Sequence, residues 1–81
     1  MGITTAPAKN EVLMRLNKRF YNYKALKESL MGYLNICALS FDQNQTHFLI
    51  TLWPKDKNSL NIVGPEFCNY LLSKMKNDAF V

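Results

Sequence analysis

An α+β sandwich, a three-stranded sheet with two helices on one face, is the fold this sequence predicts. Three observations carry it. Apolar residues alternate with period two over three short stretches, they recur at helical spacing over two longer ones, and the order along the chain is β-α-β-β-α. At 81 residues, 48% of them hydrophobic and 12% aromatic, with three glycines and three prolines, the chain has the composition of one folded domain. A domain of this size buries roughly 60–65% of its unfolded surface, so its core is thin.

Met1–Lys9 is aperiodic and contains Thr, Ala and Pro, which predicts a flexible N-terminal arm over 1–10 ahead of a single domain over 11–81. Glu11–Asn17 alternates, with Val12, Met14 and Leu16 on one side and Leu13 and Arg15 on the other, as a strand requires. Lys18–Tyr21 is a connector that Tyr21 anchors. Asn22 is placed to cap a helix whose apolar stripe is Tyr23, Leu26, Leu30 and Tyr33–Leu34. Gly32 near its end marks a close approach to the sheet.

Ile36–Phe41 alternates again, Asp42–Gln45 is a polar turn, and Thr46–Trp53 is β-branched and aromatic, so the pair reads as a hairpin. Pro54 has no N–H to continue the ladder. Lys55–Ile62 reads as a polar loop, and Gly64-Pro65-Glu66 as the opening of a second helix with Phe67, Tyr70, Leu71 and Met75 on its apolar face. Ala79–Val81 is an apolar tail too short to assign. This is a β-α-β-β-α two-layer plan, a ferredoxin-like unit truncated of its last strand. In it the third predicted strand lies between the first two, and the first is an exposed edge.

The residue chemistry argues against an enzyme. His47 is the lone histidine, the six acids (Glu11, Glu28, Asp42, Asp56, Glu66, Asp78) fall at element ends or on helix faces, and three dispersed glycines cannot build a phosphate loop. No catalytic residue, metal or cofactor is expected. Cys37 and Cys68 lie in apolar runs without Cys-x-x-Cys spacing and read as reduced, buried thiols. Met1–Asn10 lacks the apolar stretch of a signal peptide, and no apolar run nears the ~20 residues that cross a bilayer. A cytoplasmic location without membrane association is the expectation.

The formal charge is +4, but the basic residues are scattered and only Arg15 and Arg19 are arginines. Thr46–Trp53 lacks the basic, glycine-containing aromatic motif of an RRM strand, and no Gly-x-x-Gly loop of a KH domain occurs. A nucleic-acid-binding protein, with Trp53 and His47 stacking on bases, is the alternative reading. The sheet face that the helices leave open points to a binding module. It carries Leu13, Arg15, His47, Leu49, Thr51 and Trp53, with Ile36, Ala38 and Ser40, a mixture of apolar and polar groups suited to a protein or peptide partner. The edge of the first predicted strand offers a second route, to an added peptide strand or a homodimer.

The short strand, Tyr21 ahead of a helix, the hairpin, and then Glu66-Phe67-Cys68-Asn69-Tyr70-Leu71-Leu72 resemble the HxsD-like proteins, small accessory proteins of the His-Xaa-Ser peptide-modification systems. The resemblance covers most of 12–76. It implies a setting beside radical S-adenosylmethionine enzymes that modify a ribosomally made peptide, and a role as maturation accessory or peptide-handling partner. The chain holds no His-Xaa-Ser triplet, so the resemblance implies a helper and not the modified substrate.

Overall fold

In the computed structural model the backbone of residues 2–79 and the side chains of residues 2–76 are described. Four strands and two helices follow in the order β1 (Gly2–Ala6), β2 (Glu11–Asn17), α1 (Tyr23–Tyr33), β3 (Cys37–Gln43), β4 (His47–Pro54) and α2 (Leu60–Ala79), with 3₁₀ turns at Pro7–Lys9 and Lys57–Ser59. The sheet is antiparallel throughout, in the order β1-β2-β4-β3. The α+β class and the place of β4 between β2 and β3 agree with the sequence expectation.

The three-stranded sheet and the flexible arm do not. Gly2–Ala6 is a fourth strand, paired along its length with β2 from Gly2↔Arg15 to Ala6↔Glu11. Its turn explains it. Pro7 opens the 3₁₀ turn, Asn10 donates its N–H to the Pro7 carbonyl at 3.1 Å, and Asn10 itself is left-handed at φ 50°. That is a four-residue hairpin loop, with proline fixing its own φ and asparagine tolerating the left-handed position. The Asn10 Nδ2 group then donates to the Pro54 carbonyl at 2.8 Å and ties the turn to the end of β4. With β1 in place, β2 is an interior strand and not the exposed edge expected from the sequence; the edges are β1 and β3.

Alternation along the strands sends one side chain of every two beneath the helices. Val12, Met14, Leu16, Cys37, Phe48, Ile50 and Leu52 meet Ala25, Leu26 and Leu30 of α1 and Val63, Phe67, Cys68 and Leu71 of α2 in one buried cluster. Each large side chain buried there contributes about 1.5–3 kcal/mol by leaving water. Leu39 and Phe41, on the edge strand β3, are half-buried against the cluster rather than fully covered.

Both helices hold to that face, and α1 begins as expected: Asn22 is extended and its Oδ1 accepts the Ala25 N–H at 2.7 Å. Helix α2 differs. It starts at Leu60, not at Gly64-Pro65-Glu66, so Pro65 lies inside it and Gly64 is buried. Gly64 is where α2 meets the sheet: a Cβ there would lie 3.2 Å from both Ile3 Cγ2 and Val12 Cγ1. Gly32 marks a close approach too, but to α2 and not to the sheet, through the Tyr70 ring. Tyr33 stands edge-on to Phe67 with ring centroids 5.1 Å apart and completes the helix–helix contact. Of the apolar tail, Ala79 is the last residue of α2 and Phe80–Val81 lie outside the described residues. No helix among the described residues is long and apolar enough to cross a membrane.

Candidate functional site

Among the described residues, no helix lies over the second face of the sheet. Register sets its rows: Thr4 of β1 stands opposite Leu13 of β2, Leu13 opposite Thr51 of β4, and Thr51 opposite Ser40 of β3. The neighbouring row runs Gly2, Arg15, Leu49, Asp42. Directly opposed residues of antiparallel strands share a face, so these eight form a continuous patch. Leu13 is 40% exposed, a large apolar side chain at the middle of an open sheet.

Gly2, Thr4, Leu13, Arg15, Leu49 and Thr51 line a shallow basin of about 430 Å³ on this patch. Small side chains on the edge strand leave its rim low, and Leu13 and Leu49 give it an apolar floor. A second hollow, of about 340 Å³, adjoins it and shares Gly2 and Arg15, with Asn17, Phe20, Tyr21 and His47 as its other walls. Arg15 therefore stands between an apolar depression and a polar one. Across from it, Gly2 carries no side chain, and a Cβ there would meet nothing within 4 Å.

Local chemistry shapes the second hollow. Asn17 closes a turn, its Oδ1 accepting the Arg19 N–H at 2.9 Å and its carbonyl accepting the Phe20 N–H at 3.0 Å, which leaves Phe20 67% exposed. His47 pairs with Asn17 across the sheet. Its Nδ1 lies 2.7 Å from Thr46 Oγ1, and its N–H donates to Asn44 Oδ1 at 2.8 Å, as does that of Thr46 at 2.9 Å. Asn44 thereby holds the β3–β4 loop and fixes the histidine at the sheet's end. Tyr21 is half-buried, and burial pushes its phenol pKa above the usual range.

Of the six residues singled out from the sequence, the structure gathers Leu13, Arg15, Leu49 and Thr51 in one basin and sets His47 beside Arg15 in the adjoining hollow. Trp53 shares the open face, opposite Ala38, but lines neither hollow. Gly2, Thr4 and Phe20 were missed. The signal for the first two was Pro7 and Asn10, turn residues that follow the β-branched Ile3-Thr4-Thr5; Phe20 carries no comparable signal.

The remaining reactive groups lie elsewhere. Cys37 and Cys68 are buried on the helix side, and burial raises both thiol pKa values, which keeps them protonated. Cys68 donates its thiol to Met14 Sδ at 3.9 Å. Among the described residues no group of three or more His, Cys, Asp or Glu could hold a metal ion. Arg15 is the one Lys or Arg on the open face of the described strands, whose other charges are Glu11 and Asp42; the remaining basic residues belong to loops, turns and helices. No family model, curated protein or solved structure matches this chain.

Proposed function

We propose that this chain is a non-catalytic binding module whose open sheet face takes a peptide or a segment of another protein. The observation that carries the reading is the basin built by Leu13, Leu49, Thr4 and Thr51 beside Arg15. An apolar floor with a few placed polar groups, in a hollow of several hundred Å³, is the usual make-up of a recognition site. A sheet is also a rigid platform, so little ordering is needed before a partner binds.

The resemblance to the HxsD-like proteins supplies a setting for that surface. The module acts as an accessory to a radical S-adenosylmethionine enzyme, handling the peptide that the enzyme modifies, in the cytoplasm. Its fold fits a ferredoxin-like plan in which the edge position beside β2 is filled from the N-terminus by β1. The nucleic-acid reading gains nothing from this face, because phosphate binding draws on clustered Lys and Arg, and among the described residues the face carries one arginine and no lysine.

The test is a titration of the isotopically labelled chain with a pool of short, unstructured synthetic peptides, followed by amide chemical shifts. Shifts centred on Leu13, Arg15, Leu49 and Thr51 are expected. Shifts confined to the outer faces of α1 and α2 would place the binding surface on the opposite side and refute the proposal.

A further inference from the structure

Leu13 and Arg15 are alternate residues of one strand, so both project from the open face, about 7 Å apart along it. Leu13 belongs to the apolar basin, whereas Arg15 belongs both to the basin and to the polar hollow beside it. The Arg15 side chain is exposed and, among the described residues, has no hydrogen bond or ion pair. A cation with no ion-pair partner, on a face whose other charged side chains are Glu11 and Asp42, is a ready partner for a carboxylate, which guanidinium binds in a two-point fork.

The row through Arg15 gives the direction from which that carboxylate comes. On one side Leu49 and then Asp42 follow. Asp42 stands two strands away, roughly 10 Å, and its Oδ1 already accepts the Gln43 N–H at 2.8 Å. It repels a second anion on that side, although at such a distance salt screens most of the effect. On the other side lies Gly2, which has no side chain, so no described residue of β1 covers the guanidinium there. The approach is open toward the hollow where Asn17 and His47 add polar atoms.

From this arrangement we infer that the open face selects an extended peptide carrying a large apolar side chain two residues away from an aspartate or glutamate. An extended peptide repeats its side chains on one face at the same two-residue spacing as the strand beneath it. One apolar side chain thus sits over Leu13 and Leu49 while the acid reaches Arg15 from the Gly2 side. Tight binding is not required of such a surface; the pairing of one apolar anchor with one charge sets selectivity. This inference rests on the open face being the binding surface, as proposed above.

The experiment compares three capped peptides on the full chain at low ionic strength, with the central triplets Leu-Xaa-Asp, Leu-Xaa-Asn and Ala-Xaa-Asp. Affinity is read from amide shifts at the open face. Leu-Xaa-Asp is expected to bind at least tenfold more tightly than either control. Its advantage over Leu-Xaa-Asn disappears in Arg15→Gln, and in Arg15→Glu a Leu-Xaa-Lys peptide becomes the preferred ligand. Equal affinities for the Asp and Asn peptides, with shifts at the open face, would overturn the charge selection and leave the binding surface standing. Failure of every peptide to shift that face would remove both. A ten-nucleotide single strand that shifts the same amides more strongly than Leu-Xaa-Asp would also overturn the inference, in favour of a nucleic acid.

Discussion

Gly32 of α1 leaves the space that the Tyr70 hydroxyl of α2 occupies: a Cβ at position 32 would lie 2.8 Å from Tyr70 Oη and 3.1 Å from its Cε2. The Tyr70 ring is held from other sides, by Tyr33 with centroids 5.6 Å apart and by the Lys74 ammonium 5.2 Å from its centroid. Alanine at an exposed helix position normally gains about 1 kcal/mol over glycine, but here the methyl group must push the ring aside, at a cost of about 1–3 kcal/mol. Gly32→Ala is therefore expected to destabilise the chain by about 1 kcal/mol. In a Tyr70→Ala background the same change should stabilise it by about 0.5–1 kcal/mol. A double-mutant cycle by urea denaturation reads the difference, and equal effects in the two backgrounds would mean that the ring is not in the way.

The two sheet faces make unequal demands. Ile50 is 1% exposed in the core, so Ile50→Ala should cost about 2–4 kcal/mol. Leu39, half-buried on the edge strand, should cost less, and Leu13→Ala on the open face less than about 1 kcal/mol. Trp53→Ala should also fall below Ile50→Ala, because Trp53 is half-buried and lies on the open face. A Leu13 effect equal to that of Ile50 in denaturant titration would contradict the assignment of faces.

The turn at Asn10 can be taken apart by two substitutions. Asn10→Gly keeps the left-handed backbone and loses only the bond to the Pro54 carbonyl, worth about 0.5–1.5 kcal/mol. Asn10→Ala loses the bond and also strains the backbone, by about 1 kcal/mol more. Removing residues 1–6 should go further, exposing the β2 edge and promoting self-association visible by sedimentation. A truncated chain that stays monomeric across a concentration series, with native stability, would show that β1 contributes little.

Much of this was legible in the residues, and the exceptions have physical causes. β2 and β4 are interior strands with one face under the helices, so the alternation of Val12-Leu13-Met14-Arg15-Leu16 and of Phe48–Trp53 records burial directly. The same alternation puts Leu13, Arg15, Leu49 and Thr51 on one face. β1 has no such record, because on an edge only Ile3 and Thr5 turn toward the helices and both stay partly exposed. The start of α2 was hidden by Gly64-Pro65, normally a helix opening. Here contact of Gly64 with Ile3 and Val12, and burial of Val63 and Phe67, hold the helix through that pair.

Alkaline pH should weaken the fold through four groups. Burial raises the pKa of the Cys37 and Cys68 thiols above 9.0 and of the Tyr21 and Tyr33 phenols above 10.0. The folded chain thus holds these protons more firmly than the unfolded chain does. Their contribution is fully present below about pH 9, where both states are protonated, and declines as pH rises through the unfolded values toward the folded ones. Urea midpoints at pH 7, 9 and 10 should fall in that order. The slope between pH 9 and 10 should flatten in Cys37→Ala/Cys68→Ala; an unchanged slope would remove the thiols from the account.

The most direct test of the open face as the binding surface is Leu13→Lys, studied for stability and for binding in the same preparation. Leu13 is 40% exposed, so a lysine can carry its charge into water there without entering the core. The variant is expected to keep its urea midpoint within the equivalent of about 1 kcal/mol of wild type while losing the shifts that the Leu-Xaa-Asp peptide induces. A folded Leu13→Lys that binds the peptide as wild type does would contradict the central claim.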